Sequence, residues 1–444
     1  MAELLGKGSG GDDADSGDED EDGDGDGEDG GAEDGEENEQ TILEEYKSWR
    51  KNCRYMYSFV SETALTWPSL SIQFARADTF ENKTKDTKYG VTRNLFLTTH
   101  TSGEDDDYVK LASSQSPRSL TEQKELTSEE SETVNSRLKI SKKFPQAVEV
   151  NRVRANPFDS KVWATINASG EVYVYNVDAR MNEVWRRKSE HHTANGFGLA
   201  WDPTSQHRLV TGAEDKSVAV WDYRDSTGGA AAASSRPTAV YNVHTDSVND
   251  VRFSHRRPGV FGSVGEDKLF VLGDCRSQAV TMQRTLNAAT SFNSLAFSPA
   301  SEHLVLFGGD DANNYIYDLR NMDRCLHTLV GHKKPVTNVE WDPFHEHVVA
   351  SSSMDRRVIL WDLTKIGEEQ SPEEADDGVP ELLMMHGGHT GGVNDFAFSP
   401  EVEWCLASCS DDNIVHVWAV KDEIARSPDV DADADLLIDP AVLE

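Results

Sequence analysis

The chain has 444 residues, and its 43 basic against 79 acidic residues leave a formal charge of −36. That charge repels phosphate backbones and attracts basic partners, which argues against autonomous DNA or RNA binding. No run reaches the ~18 apolar residues a membrane span needs, the first residues lack an apolar signal region, and five scattered cysteines imply no disulfide framework, so a soluble chain in a reducing compartment is expected.

In chain order, residues 1–40 carry 18 carboxylates, one lysine and eleven glycines, the composition of a disordered acidic tail. The segment 41–55 reads as an N-terminal helix. Thr41 and Glu44 suit a capping box, and Leu43, Tyr46 and Arg50 share a face beside Ile42, Trp49 and Cys53. Residues 56–61 read as a strand placed to complete the sheet of the last unit, which would remove an exposed edge. A degenerate unit starts near Leu65, with strands over 67–74, 94–99 and 107–112, and a polar insertion follows at 116–147. A second starts near Gln146, with strands over 150–155, 161–166 and 171–176, and Tyr175 takes its closing aromatic position.

From His192 onward a fixed spacing governs the chain. Starts at His192, His244, Ala288, His332 and His389 are followed nine residues later by Trp201, Phe253, Phe297, Trp341 and Phe398. Asp215, Asp267, Asp311, Asp355 and Asp412 come 23 residues after each start, and Trp221, Gly273, Tyr317, Trp361 and Trp418 come 29 after. Strands over 336–341, 348–353 and 358–362 show the physical unit, an antiparallel blade whose turns a His–Asp–Ser/Thr–Trp hydrogen-bond set pins together. The structural residues of this set are His192, Asp215 and Trp221; His244 and Asp267; His332, Asp355 and Trp361; and His389, Asp412 and Trp418. The fold class is therefore all-β, a seven-bladed WD-repeat β-propeller over 56–420 with an N-terminal helix and a disordered acidic tail. A Gly/Ala-rich insertion at 226–235, an acidic one at 366–380 in blade six, and an acidic C-terminal tail at 421–444 complete the organisation.

Three stretches make the pattern more specific: Glu44-Glu45-Tyr46-Lys47-Ser48-Trp49, Trp67-Pro68-Ser69-Leu70 and Thr99-His100-Thr101-Ser102. So do the blade-six run from Ile366 through Gly378, Pro380-Glu381-Leu382-Leu383, and His386-Gly387-Gly388-His389-Thr390. With these the chain resembles the retinoblastoma-binding, MSI-type histone-binding WD-repeat proteins, the family of the chromatin assembly factor small subunit. The resemblance implies a non-enzymatic histone chaperone or scaffold subunit of assembly, deacetylase, acetyltransferase, remodelling or Polycomb complexes. It implies partners in histone H4 and H3–H4 and in the subunits of those complexes, and a place in the nucleus with a cytoplasmic pool. It also implies a side groove between the N-terminal helix and the blade-six loop that takes the first helix of histone H4. Carried onto this chain, that groove is Tyr55, Met56, Glu374, Asp376, Asp377, Leu383, Met384 and Met385. The residues suit that role, since 366–381 carries seven carboxylates beside an apolar Leu382–Met385 run, an arginine-seeking surface next to a helix-binding one. Where the family tends to carry phenylalanine, Met384 gives a softer wall. The family's narrow propeller face holds the basic tail of histone H3, here at Trp67, His100, Glu149, Asn151, Phe197, Asn293 and Asp411. Asn195, Asn249 and Pro335 stand where the family places glutamates, and Phe197 replaces a tyrosine, which weakens an arginine or lysine anchor there.

Other patterns are set aside. Residues 22–33 satisfy the EF-hand expression but lie in low-complexity sequence without flanking helices, and Gly6, Gly8 and Gly11 match a dinucleotide fingerprint without a βαβ unit. His345-Glu346-His347 lies in a turn, and Cys405 and Cys409 read as buried strand thiols, so neither a metal nor a cofactor is expected. The repeated His–Asp pairs are scaffold rather than catalytic dyads, and no enzyme motif appears. The competing function is a substrate receptor of a cullin-RING ubiquitin ligase, since Trp221-Asp222-Tyr223-Arg224 resembles the WDxR element of such receptors.

Overall fold

Each unit folds as a four-stranded antiparallel blade, and the computed structural model holds seven of them. It describes residues 39–76, 90–117, 136–178, 183–189, 191–223, 236–286, 290–375 and 378–425. The chain opens with α1 (Glu39–Met56) and β1 (Tyr57–Ala64). Blade 1 is β2 (Ile72–Ala75), β3 (Gly90–Leu97), β4 (Tyr108–Pro117) and β5 (Lys139–Pro145), and blade 2 is β6 (Val150–Ala155), β7 (Val162–Asn167), β8 (Val172–Asp178) and β9 (Glu183–Ser189). Blade 3 is β10 (Gly196–Trp201), β11 (Arg208–Ala213), β12 (Val218–Asp222) and β13 (Ala239–Tyr241), and blade 4 is β14 (Val248–Phe253), β15 (Val260–Gly265), β16 (Leu269–Asp274) and β17 (Ala279–Thr285). Blade 5 is β18 (Phe292–Phe297), β19 (Leu304–Gly309), β20 (Asn313–Asp318) and β21 (His327–Val330), and blade 6 is β22 (Val336–Trp341), β23 (Val348–Ser353), β24 (Val358–Asp362) and β25 (Leu382–His386). Blade 7 is β26 (Val393–Phe398), β27 (Cys405–Ser410) and β28 (Ile414–Val420), completed by β1, which runs antiparallel to β28 from Ala64 opposite Ile414 to Tyr57 opposite Val420.

The core is seven apolar clusters, each between two neighbouring blades. This follows from alternation: both faces of each sheet are covered, so β11, β15, β23 and β27 are buried along their length or nearly so. In six blades the register between the first two strands slips by one residue near the start of the first. The bulge turns the second residue's side chain out of the normal alternation and toward the next blade.

Two expectations are corrected in detail. The helix already runs at Glu39, two residues before Thr41, so Thr41 lies inside it and is no cap. The predicted insertion at 116–147 is largely outside the described residues, but its ends are structural: β4 runs on to Pro117 and β5 is the outer strand of blade 1. In blade 5 the Asp311 carboxylate accepts from the Tyr315 hydroxyl at 2.5 Å, and Thr290 Oγ1 accepts from the Asp311 N–H at 3.1 Å.

Candidate functional site

The side surface begins with α1, whose half-buried or buried Ile42, Glu45, Tyr46, Trp49, Cys53 and Met56 recur at helical spacing. Tyr46, Trp49, Cys53 and Met56 pack into the cluster shared by blades 6 and 7, whereas Leu43 and Tyr55 stay exposed. Two ties hold this face down. Glu45 Oε2 accepts from Arg356 at 2.8 Å and from Arg357 at 2.6 Å. Burial alone would raise the Glu45 carboxyl, but the two guanidinium bonds hold it below its usual range. Trp49 donates Nε1–H to the Tyr57 hydroxyl at 2.9 Å, and that hydroxyl lies 2.7 Å from Nδ1 of His386.

Opposite the end of α1 stands β25, which carries a bulge where Leu360 pairs with Met384 but Trp361 pairs with Leu382. The bulge puts Leu383 and Met384 together on the α1 side and sends Leu382 and Met385 to the blade-5 side. Among the expected groove residues, Met56 and Leu383 are both half-buried against the same cluster, and Tyr55 projects beside Arg54, whose guanidinium lies 4.6 Å from its ring. Met384 is closed off at 4% exposure, and Met385 belongs to the wrong face. Neither lines an open wall, because a bulge breaks the alternation that the run of four apolar residues suggested. Asp376 and Asp377, and the side chain of Glu374, lie outside the described residues. Of the carboxylates nearby, Glu381 turns inward and accepts from His327 at 2.6 Å, while Glu368 pairs with Lys365 at 3.2 Å and Glu369 is exposed. The loop itself is braced by Asp362, which accepts from the Thr364 N–H at 2.9 Å, and by a bond from Gln370 to the Gly378 carbonyl at 3.1 Å. The short α2 (Pro372–Ala375) lies between these braces.

The residues expected on the narrow face all fall at the starts of inner strands or in the turns beside them. There the bulged residues form a ring of stitches: the amides of Asn151, Asn249, Asn293 and Asn394 donate to the carbonyls of Gly196, Phe292, Val336 and Ser69, and Thr337 donates to Val393, at 2.7–3.2 Å. Phe197 has no polar group to add. Asn151 also donates to Asn195 at 2.6 Å, Asn249 to Glu266 at 2.8 Å, and Asn394 to Asp411 at 2.8 Å. Trp67 donates to Asp105 at 3.2 Å, His100 lies 3.1 Å from Glu149, and Glu149 also accepts from the Ser102 N–H at 2.6 Å. The structure brings these residues to one face, but their amides and carboxylates are already engaged within it.

Within the blades, His192, His244, His332 and His389 lie 2.9–3.4 Å from Asp215, Asp267, Asp355 and Asp412, and each reaches a Thr or Ser hydroxyl at 2.8 Å. Trp221 and Trp361 donate to the same hydroxyls at 2.9 Å and Trp418 at 3.4 Å. Tyr223 is buried against Trp201, and Arg224 lies outside the described residues. Cys405 and Cys409 are free and buried, and burial pushes the Cys405 thiol up to about 12.

One cluster escaped the sequence reading. His386, His389 and His416 are buried with ring nitrogens within 4.8 Å of one another. They do not converge on a cation: His389 and His416 stack 4.2 Å apart at 21°, which sets their in-plane lone pairs side by side. His386 Nε2 and His416 Nδ1 are instead hydrogen-bonded at 2.9 Å. His386 and His389 are three residues apart, but His416 comes 30 residues after His386 on another strand, and nothing local marks it as their neighbour.

Comparison with known proteins matches residues 44–118 to the family described as histone-binding protein RBBP4 or the C subunit of the CAF1 complex. Residues 187–222, 323–362 and 380–419 match the WD domain, G-beta repeat. The histone acetyltransferase type B subunit 2 of Debaryomyces hansenii is 42% identical over 396 residues, 87% of this chain and 93% of that protein. The proteins of the same name from Candida albicans and Schizosaccharomyces pombe are 40% and 38% identical, over 89% and 86% of this chain and 97% and 90% of theirs.

Proposed function

Because the chain belongs to the family of histone-binding WD-repeat proteins described as RBBP4 or the C subunit of the CAF1 complex, we propose that it holds the first helix of histone H4 between α1 and the blade-six loop. It is a histone-binding subunit and not itself an enzyme. The relatives' shared name makes a type B histone acetyltransferase the assembly it serves: it holds the histone, and a separate catalytic subunit modifies it. It works in the nucleus, with a cytoplasmic pool.

The observation that carries the reading is the meeting of two chemistries at one place. Met56 and Leu383 offer half-buried apolar surface beside a loop whose Glu369 is exposed and whose sequence adds Glu373, Glu374, Asp376 and Asp377. A basic amphipathic helix needs both, apolar anchors at helical spacing and carboxylates for its arginines. Each charge-assisted bond to such an arginine contributes roughly 1.5–3 kcal/mol. The narrow face is the weaker site for a basic tail, because Asn195 and Asn249 replace charge and the amides of Asn151, Asn249 and Asn293 are committed to neighbouring carbonyls.

Calorimetry with the first-helix peptide of histone H4 and, separately, an N-terminal tail peptide of histone H3 tests this. The helix peptide is expected to bind at least tenfold more tightly. Binding of the tail alone would overturn the reading.

A further inference from the structure

The buried chain runs from Trp49 on α1 through Tyr57 on β1 of blade 7 and His386 on β25 of blade 6 to His416 on β28 of blade 7, and the orientation that gives every hydroxyl and imidazole within it a partner starts from the indole. Indole N–H can only donate, so Trp49 donates to the Tyr57 oxygen at 2.9 Å. The Tyr57 proton is then free for His386 Nδ1 at 2.7 Å, which puts the His386 proton on Nε2, facing His416 Nδ1 at 2.9 Å. His416 is left with its proton on Nε2, a buried atom without a partner among the described residues. Its ring lies between Trp49, stacked at 5.6 Å and 17°, and His389, stacked at 4.2 Å. Each of the two nitrogens that would take a further proton already accepts one. Another proton either sets donor against donor at Tyr57 or at His416, or reverses the chain and leaves the buried Tyr57 O–H without an acceptor.

We propose that Trp49, Tyr57, His386 and His416 are the positioning residues of the histone groove, and that α1 docks only while both imidazoles are neutral, so that acid releases α1 and with it the histone helix. The inference rests on the groove assigned above. The surroundings favour the neutral forms. Burial, then His416, His389 and Arg357, disfavour a charged His386. Burial and His389 likewise oppose charge on His416, against the pull of Asp412, which itself lies 3.4 Å from His389. From the packed face of α1 the titratable groups are Glu45, paired to Arg356 and Arg357, Tyr46, whose hydroxyl donates to Glu62 at 3.3 Å, and Cys53, whose thiol burial pushes up to about 11 with Glu62 adding to the shift. No carboxylate of α1 is bonded to either imidazole.

The sign follows from linkage. Both imidazoles titrate below their free value when α1 is docked, and release that uncovers them lets the propeller bind more protons than it does with α1 docked. Docking is complete above about pH 6.5 and weakens as the pH falls below it. Each imidazole weakens docking by up to about tenfold per pH unit.

Two features allow an independent test. Gly388 leaves room for the Trp49 ring: an added Cβ would stand 2.5 Å from His416 Cε1 and 2.6 Å from Trp49 Cζ2. His416→Phe keeps a flat ring in the stack but removes one titrating group.

The experiment follows hydrogen exchange of the α1 amides between pH 7.5 and 5, with the β23 amides as the folded reference, and measures H4 first-helix peptide affinity in parallel. Intrinsic exchange is corrected at each pH. In the wild type, α1 protection is expected to fall steeply below pH 6.5 while β23 stays protected, and peptide affinity to fall with it. His416→Phe should halve the steepness, and Gly388→Ala should leave α1 unprotected at every pH. A flat α1 profile, or unchanged steepness in a folded His416→Phe, overturns the proposal, as does peptide affinity that is constant while α1 is released. Absence of peptide binding at every pH with α1 protected would instead overturn the groove assignment.

Discussion

Asp355 shows how one residue carries the repeat. Its carboxylate lies 2.9 Å from His332 Nδ1 and accepts from the Lys333 N–H at 2.9 Å and the Arg357 N–H at 3.0 Å. Burial would raise this carboxyl, yet the bond to His332 and the surrounding N–H groups hold it below the usual range. A depressed carboxyl stabilises the fold above its unfolded value near 3.9, and that contribution is lost as pH falls through the folded value. Asp355→Asn is expected to lose ~1.5–3 kcal/mol at pH 7, and to lie closer to the wild type at pH 3, by urea unfolding at both. An equal gap at the two pH values would mean the charge contributes nothing. These residues were legible because a His and an Asp 23 residues apart meet within one blade. Glu45 with Arg356 and Arg357 was not legible, since 311 residues or more separate the partners and nothing local marks them.

At the scale of elements, blade 4 explains why a repeat survives without its tryptophan. Gly273 stands at the Trp position and pairs across the sheet with Phe261, whose ring would lie 2.3 Å from a Cβ at residue 273. The phenyl ring covers the glycine, an aromatic rescue between neighbouring strands. Gly273→Trp therefore completes the sequence pattern but overpacks the blade, with an expected loss of about 1–3 kcal/mol seen as a lower melting temperature. A rise in melting temperature would contradict this packing account. β25 makes the complementary point. Its apolar run was visible in the sequence, but the bulge at Leu383 decides which residues reach α1, and bulges depend on pairing that a single strand does not encode. The start of α1 was misjudged for a similar reason: Thr41 suits a cap wherever it stands, and only the extent of packing says where the helix runs.

For the whole molecule, the 29-residue spacing implied blades, and closure by the strand ahead of the first unit follows from the cost of an open edge. β1 does pair with β28 over its length, so a chain segment N-terminal to the ring seals it and delivers α1 beside blade 6. Closure and the proposed binding are thus one arrangement: the strand that completes the propeller carries the helix that borders the proposed histone groove. The chain's −36 charge adds attraction to any basic partner, which salt erodes, but charge alone selects no surface. Fluorescence anisotropy with a histone H4 first-helix peptide separates the two contributions. It compares the wild type, an Asp376→Ala/Asp377→Ala variant and a chain lacking residues 1–40, each at two salt concentrations. The expected result is tight binding by the wild type and by the shortened chain, with at least a tenfold loss in the double variant. Equal weak binding by all three, or a loss confined to the shortened chain, would contradict recognition in the blade-six groove.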